Sequence, residues 1–176
     1  MNSGHLILGE LVDFITGQTI EDTHDERYRQ KLARLLVEQK DYSKKQIKSR
    51  WDLPVRAGIN QAVVKIDFMI TLSDKICMII KYSPGSMVTR HRPVLAASRL
   101  VAPYQVPIAV ITNGEDADVL DGYTNEVISI GFESIPDRQQ LTHRVADIHL
   151  EPIPSRRAEM ESRIMYAFEI DGSCSL

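Results

Sequence analysis

Two apolar runs joined by a short turn constrain this chain more than any other feature. AVVKIDFMITL (62–72) and ICMIIKY (76–82) flank Ser73-Asp74-Lys75. Runs of this length, rich in β-branched residues and bounded by turn residues, read as neighbouring strands. Side chains alternate faces along a strand, so Val64, Ile66, Phe68 and Ile70 are expected on one side, and Lys65, Asp67 and Met69 on the other. In the second run Cys77, Ile79 and Lys81 share a side. A buried charge is costly unless it is paired or binds a metal. Asp67 and Lys81 are therefore expected to meet across the two strands as an ion pair, or to serve a chemistry that needs both.

The rest of the chain supplies helices around these strands. Thr23 and Glu26 have capping-box spacing, and Tyr28, Leu32, Leu35 and Leu36 fall on one helical face, which predicts a helix over 23–40. WDLPV reads as a short strand or edge. A helix over 91–102 carries Pro93 in its first turn. PIAVIT (107–112), ADVLD (117–121) and EVISIGF follow as strands, with Asn113-Gly114 as a turn. EPIPS (151–155) opens a last helix with Met160, Ile164 and Phe168 on one stripe. The order predicts an α/β domain with a mixed sheet between helices. Residues 1–22 read as a lead-in segment, 23–150 as the domain, and 151–176 as a C-terminal helix packing on it.

The 176 residues suit one domain. No apolar run approaches the roughly 20 residues of a membrane span, and MNSGHLILGELVDF lacks the basic start of a signal peptide. Two cysteines, Cys77 and Cys174, exclude a disulfide framework and fit a reducing, cytoplasmic setting. Five histidines show no zinc-ligand spacing. The net charge of −3 conceals an asymmetry. From Lys75 to Gly114 there is no Asp or Glu, while Lys75, Lys81, Arg90, Arg92 and Arg99 lie within that stretch. A basic surface for phosphates can sit on such a chain; a chance gap in acids across buried strands gives the same pattern.

Several strings in order resemble one family. THDERYRQKLARLLVEQKDYSKKQI is similar to its first helix, KIDFMI to the strand bearing its metal-binding Asp, and VPIAVITNGEDADVLD to a later strand, Thr-Asn-Gly turn and strand. Over about residues 23–135 the chain resembles the N-terminal domain of type I restriction enzyme R subunits, within the PD-(D/E)xK restriction-endonuclease-like superfamily. The resemblance implies a restriction-endonuclease-like fold, with Asp67 at the metal-binding carboxylate, Lys81 at the catalytic lysine and Glu26 at the first-helix acid. Glu26 alternatively serves only the cap of its own helix. In such enzymes carboxylates hold Mg²⁺, which activates water for phosphodiester hydrolysis.

The chain departs from that pattern at Ile79, where the family's Glu-x-Lys carries its glutamate. An aliphatic side chain cannot hold a hard cation that needs oxygen ligands, and the helix after the second strand offers no acid in exchange. Three readings follow. The first is an Mg²⁺-dependent DNA endonuclease using Asp67, Lys81 and Glu26, with Asp67 and Glu26 as metal ligands. The second is a catalytically impaired relative, free of cofactor, that binds nucleic-acid backbone through Arg90, Arg92, Arg99 and Lys81. Lys44, Lys45, Lys48 and Arg50 form a possible second patch in that reading. Duplex DNA is favoured there, because aromatic platforms for single strands are scarce. The third is an interaction module for a protein partner or a second copy of itself.

Overall fold

The computed structural model describes residues 6–171; Cys174 lies outside them. Strands β1 (Gly9–Val12) and β2 (Thr19–Asp22) form an antiparallel hairpin, where the sequence suggested only a lead-in. Helix α1 (His24–Arg34) follows and continues as a π-helical turn, Leu35–Gln39. Its start is set by Thr23, whose extended backbone and hydroxyl cap the Glu26 N–H at 3.1 Å.

The central sheet has six strands in the order β3-β4-β5-β6-β7-β8. These are β3 (Ile47–Ala57), β4 (Asn60–Leu72), β5 (Lys75–Tyr82), β6 (Ile108–Thr112), β7 (Ala117–Asp121) and β8 (Val127–Ile130). All neighbours are antiparallel except β5 and β6. A parallel pair needs a crossover, and helix α2 (His91–Ser98) supplies it. The expected 91–102 helix therefore ends four residues early. WDLPV proves to be the middle of an eleven-residue edge strand. Helix α3 (Arg138–Val145), which hydrophobic pattern alone did not reveal, is capped by Asp137. Helix α4 (Ser155–Tyr166) continues as a π-helical turn to Asp171.

Two cores lie on opposite faces of the sheet. Leu32 and Ala33 of α1 and Leu141 of α3 pack with Phe68, Ile80, Val110 and Val119. Val94 and Leu95 of α2 and Met165 of α4 pack with Ile66, Ile79, Ala109 and Ile111. Helix α4 buries only part of the expected stripe, Ile164 packing against the α2–α4 core. Met160 and Phe168 are exposed, and the inner face is Glu161, Ser162 and Met165, because arginines draw Glu161 inward. Among the described residues the architecture is α/β, with a mixed central sheet and four α-helices, consistent with a restriction-endonuclease-like fold. Among the described residues no helix is long and apolar enough to cross a membrane.

Alternation in β4 is not continuous. Val64 and Ile66 join the α2–α4 core, whereas Phe68 and Ile70 join the α1–α3 core, so the expectation that all four share a side is corrected. The change of face falls at Asp67. Across from it, between the pairs Ser49–Phe68 and Trp51–Ile66, sits Arg50 with a left-handed backbone (φ 53°). A second local constraint is Gly114, φ 92°, where an added Cβ would stand 2.4 Å from the Tyr28 ring. The Thr-Asn-Gly turn is thus a close approach of backbone to α1 that only glycine permits.

Candidate functional site

Asp67 sits where β4 changes face, and both of its carboxylate oxygens are engaged. Arg29 of α1 donates through Nε to Oδ1 at 2.5 Å, and the Tyr82 N–H donates to Oδ2 at 2.7 Å. Arg29 also lies over the Tyr82 ring, 5.2 Å from its centroid. Burial acts to lower the Arg29 pKa, but the charge and hydrogen bond of Asp67, with Glu26 and Asp25 beyond, outweigh it and raise the pKa. Tyr82 donates its hydroxyl to Asp25 at 3.1 Å and stacks on Tyr28. Burial and the Asp25 charge push its phenol upward.

Glu26 does not close a capping box with its side chain but points inward, the other arrangement that the sequence offered. Its N–H is capped by Thr23, while its buried carboxylate turns inward and accepts from Arg50 and, at 2.9 Å, from Gln30. Gln30 also donates to Asp13 at 2.8 Å, and Arg50 donates to Asp13 at 3.0 Å. Asp13, in the loop after β1, is 1% exposed. Burial pushes its carboxyl up, yet hydrogen bonds from Gln30, Thr16 and Arg50 prevail and hold it at about 2. Sequence reasoning missed Asp13. Its local signal, an Asp three residues before Thr16 and four before Gly17, marks a turn and nothing more.

Lys81 lies elsewhere. Strand alternation sends it to the same face as Ile79, toward α4, where its ammonium pairs with Glu169 at 3.2 Å and donates to the Lys65 carbonyl at 3.3 Å. The expected Asp67–Lys81 pair is therefore replaced by two others, Asp67–Arg29 and Lys81–Glu169. The physical reason is the change of face at Asp67, which carries its carboxylate to the α1 side while Lys81 stays on the α4 side.

The residues present do not fit Mg²⁺. Among the described residues no group of three or more His, Cys, Asp or Glu side chains is arranged to hold a metal ion. The oxygens of Asp67 face Arg29 and a backbone N–H, Glu26 faces Arg50, and Ile79 is 0% exposed in the α2 core. What the cluster does chemically is hold carboxylates in ionised form through fixed guanidinium donors.

The basic residues divide between interior and surface. Arg99 is 3% exposed and donates to Glu161, Gln105 and Asn125, tying α2 to α4 and to the turn after β7; burial pulls its pKa down. Its guanidinium is turned inward, away from any phosphate. Arg92 is partly exposed, with one nitrogen 2.6 Å from Glu161 Oε2. That oxygen accepts no aligned hydrogen bond, so the contact is one of charge. Arg157, which the sequence reading did not single out, approaches the same glutamate at 3.7 Å and is half exposed. Arg90 is partly exposed beside Phe168. On the α1 side, Lys44 lies over the Phe14 ring and donates to its carbonyl. Lys45 is exposed, and Lys48, paired with Met69 and so on the α2–α4 side of the sheet, lies over Trp51. Arg50, expected in that patch, points into the carboxylate cluster instead.

Comparison with curated proteins finds no match, and comparison with solved structures finds none either. The family model described as the type I restriction enzyme R protein N terminus matches residues 24–136. That span runs from the first residue of α1, through the strands bearing Asp67 and Lys81, to the end of the loop after β8, which is most of the chain. On that match the chain belongs to the family of type I restriction enzyme R protein N-terminal domains.

Proposed function

We propose that this chain is a catalytically impaired domain of its family that grips the backbone of duplex nucleic acid, duplex DNA foremost, through the face formed by α2 and α4. The observation that carries this reading is the arginine group around Glu161. Three guanidinium groups, Arg92, Arg99 and Arg157, surround one buried carboxylate. Arg99 alone neutralises it from within, which leaves Arg92 and Arg157 at the surface with charge to offer. Arg90 and the exposed Arg156 extend the patch. Phosphate contacts of this kind supply affinity and register without reading sequence. Impairment is supported by Ile79 and by the guanidinium partners of Asp67 and Glu26.

The test combines a binding titration of labelled duplex DNA at rising salt with a cleavage assay in Mg²⁺ and Mn²⁺. Binding that weakens steeply with salt, and no cleavage, is the expected result. Cleavage by the wild type that disappears in Lys81→Ala would overturn the impairment. Binding indifferent to salt would overturn the backbone contact and point to a protein partner or a second copy.

A further inference from the structure

Carboxylates buried side by side repel, and something must neutralise them. We propose that in this chain Arg29 and Arg50 act as resident cations, two tethered guanidinium groups that occupy the place a divalent ion would need and make the domain independent of metal. This inference stands on the cluster geometry alone and holds whether or not the α2–α4 face binds nucleic acid.

Three elements bring the acids together: the loop after β1 supplies Asp13, α1 supplies Glu26 and β4 supplies Asp67. All three are buried. Each touches a guanidinium. Arg50 reaches Asp13 and Glu26, while Arg29 reaches Asp67 and lies 3.8 Å from Glu26. Gln30 bridges Asp13 and Glu26, closing the ring.

The backbone at Arg50 is a second, independent observation. Its φ of 53° is a conformation that non-glycine residues rarely adopt. Such strain persists where the surroundings hold it, and here it accompanies a guanidinium aimed inward from an edge strand.

Chemistry explains why arginine prevails over a metal ion in this setting. A guanidinium is always charged, presents five donors in a plane that matches carboxylates, and is only weakly hydrated. Mg²⁺ dehydrates reluctantly and demands near-octahedral oxygen ligands. Two arginines against three carboxylates, with Gln30, Thr16 and the Tyr82 N–H as neutral donors, satisfy the cluster without any free ion.

The experiment uses the full chain and Mn²⁺ as the probe, read by calorimetric titration and by thermal melting with and without EDTA. The proteins are the wild type, Asp67→Asn, Arg29→Met with Arg50→Met, and that pair with Asp67→Asn added. The wild type is expected to show no saturable Mn²⁺ binding and no change in melting. The double variant is expected to melt lower and to recover saturably on adding Mn²⁺. Adding Asp67→Asn should abolish the recovery. Saturable binding by the wild type that Asp67→Asn removes would overturn the proposal, since a metal would then displace the arginines. A double variant that ignores Mn²⁺, folded or unfolded, would overturn it as well, because no cation position would have been vacated.

Discussion

At the scale of single residues, the charged groups inside this sheet are organised by which face each side chain leaves from, not by which strands are neighbours. Asp67 is expected to couple with Arg29 and not with Lys81. In a double-mutant cycle read by urea denaturation, Arg29→Met with Asp67→Asn should show a coupling of about 1–3 kcal/mol, and Lys81→Met with Asp67→Asn should add to within about 0.5 kcal/mol. Asp67→Ala alone should cost about 3 kcal/mol, at the low end for a broken buried pair because Arg29 keeps partial access to solvent. Strong coupling between Asp67 and Lys81 would restore the direct pair and contradict the geometry. The sequence marked both residues correctly as buried charges. It could not show that a left-handed Arg50 lies opposite Asp67 and that β4 turns over there, since nothing in the composition of QIKSRW (46–51) signals a positive φ.

At the scale of elements, the β1–β2 hairpin is fixed to the domain by Asp13, whose buried carboxylate joins the loop after β1 to Gln30 on α1 and Arg50 on β3. Its carboxyl titrates at about 2 when folded, against an ordinary value of 3.8. The folded-state value is the lower one, so the folded chain takes up the proton less readily than the unfolded chain. The stabilisation is thus complete above 3.8 and is lost as pH falls from there through about 2. Asp13→Asn should lower stability at neutral pH, and its deficit against the wild type should shrink as denaturation curves are repeated at falling pH. A deficit that stays constant down to the acid limit would mean that the charge of Asp13 does not anchor the hairpin. Long, patterned elements such as α1, β4, β5 and β6 were legible from periodicity alone. The hairpin, α3 and the inward face of α4 were not. Gly9–Val12 and Thr19–Asp22 are too short to show a pattern, α3 buries only Leu141, and α4 turns Glu161 inward against its own hydrophobic stripe.

At the scale of the whole molecule, a chain of net charge −3 can hold nucleic acid only if its positive charge is concentrated and not consumed internally. Of the arginines and lysines in the acid-free stretch, Arg99 and Lys81 are buried against Glu161 and Glu169. The surface charge of the stretch then falls to Lys75 at the start of β5 and to Arg90 and Arg92 by α2, the latter two joined by Arg157 from α4. The glutamate between them does not defeat the patch. Arg99 pairs with Glu161 at 3.2 Å from the protein side, so Arg92 can turn to a phosphate without leaving a buried carboxylate unpaired. Each arginine that reaches a phosphate releases counterions, and the logarithm of the binding constant falls with the logarithm of salt in proportion to the number of contacts. Arg92→Ala and Arg157→Ala should therefore each reduce that slope by about 1, weakening all duplex sequences alike. Lys45→Ala, across the sheet on the α1 side, should leave the slope unchanged. The reverse outcome, a slope lost with Lys45 and kept without Arg92, would move the contact to the patch around Phe14.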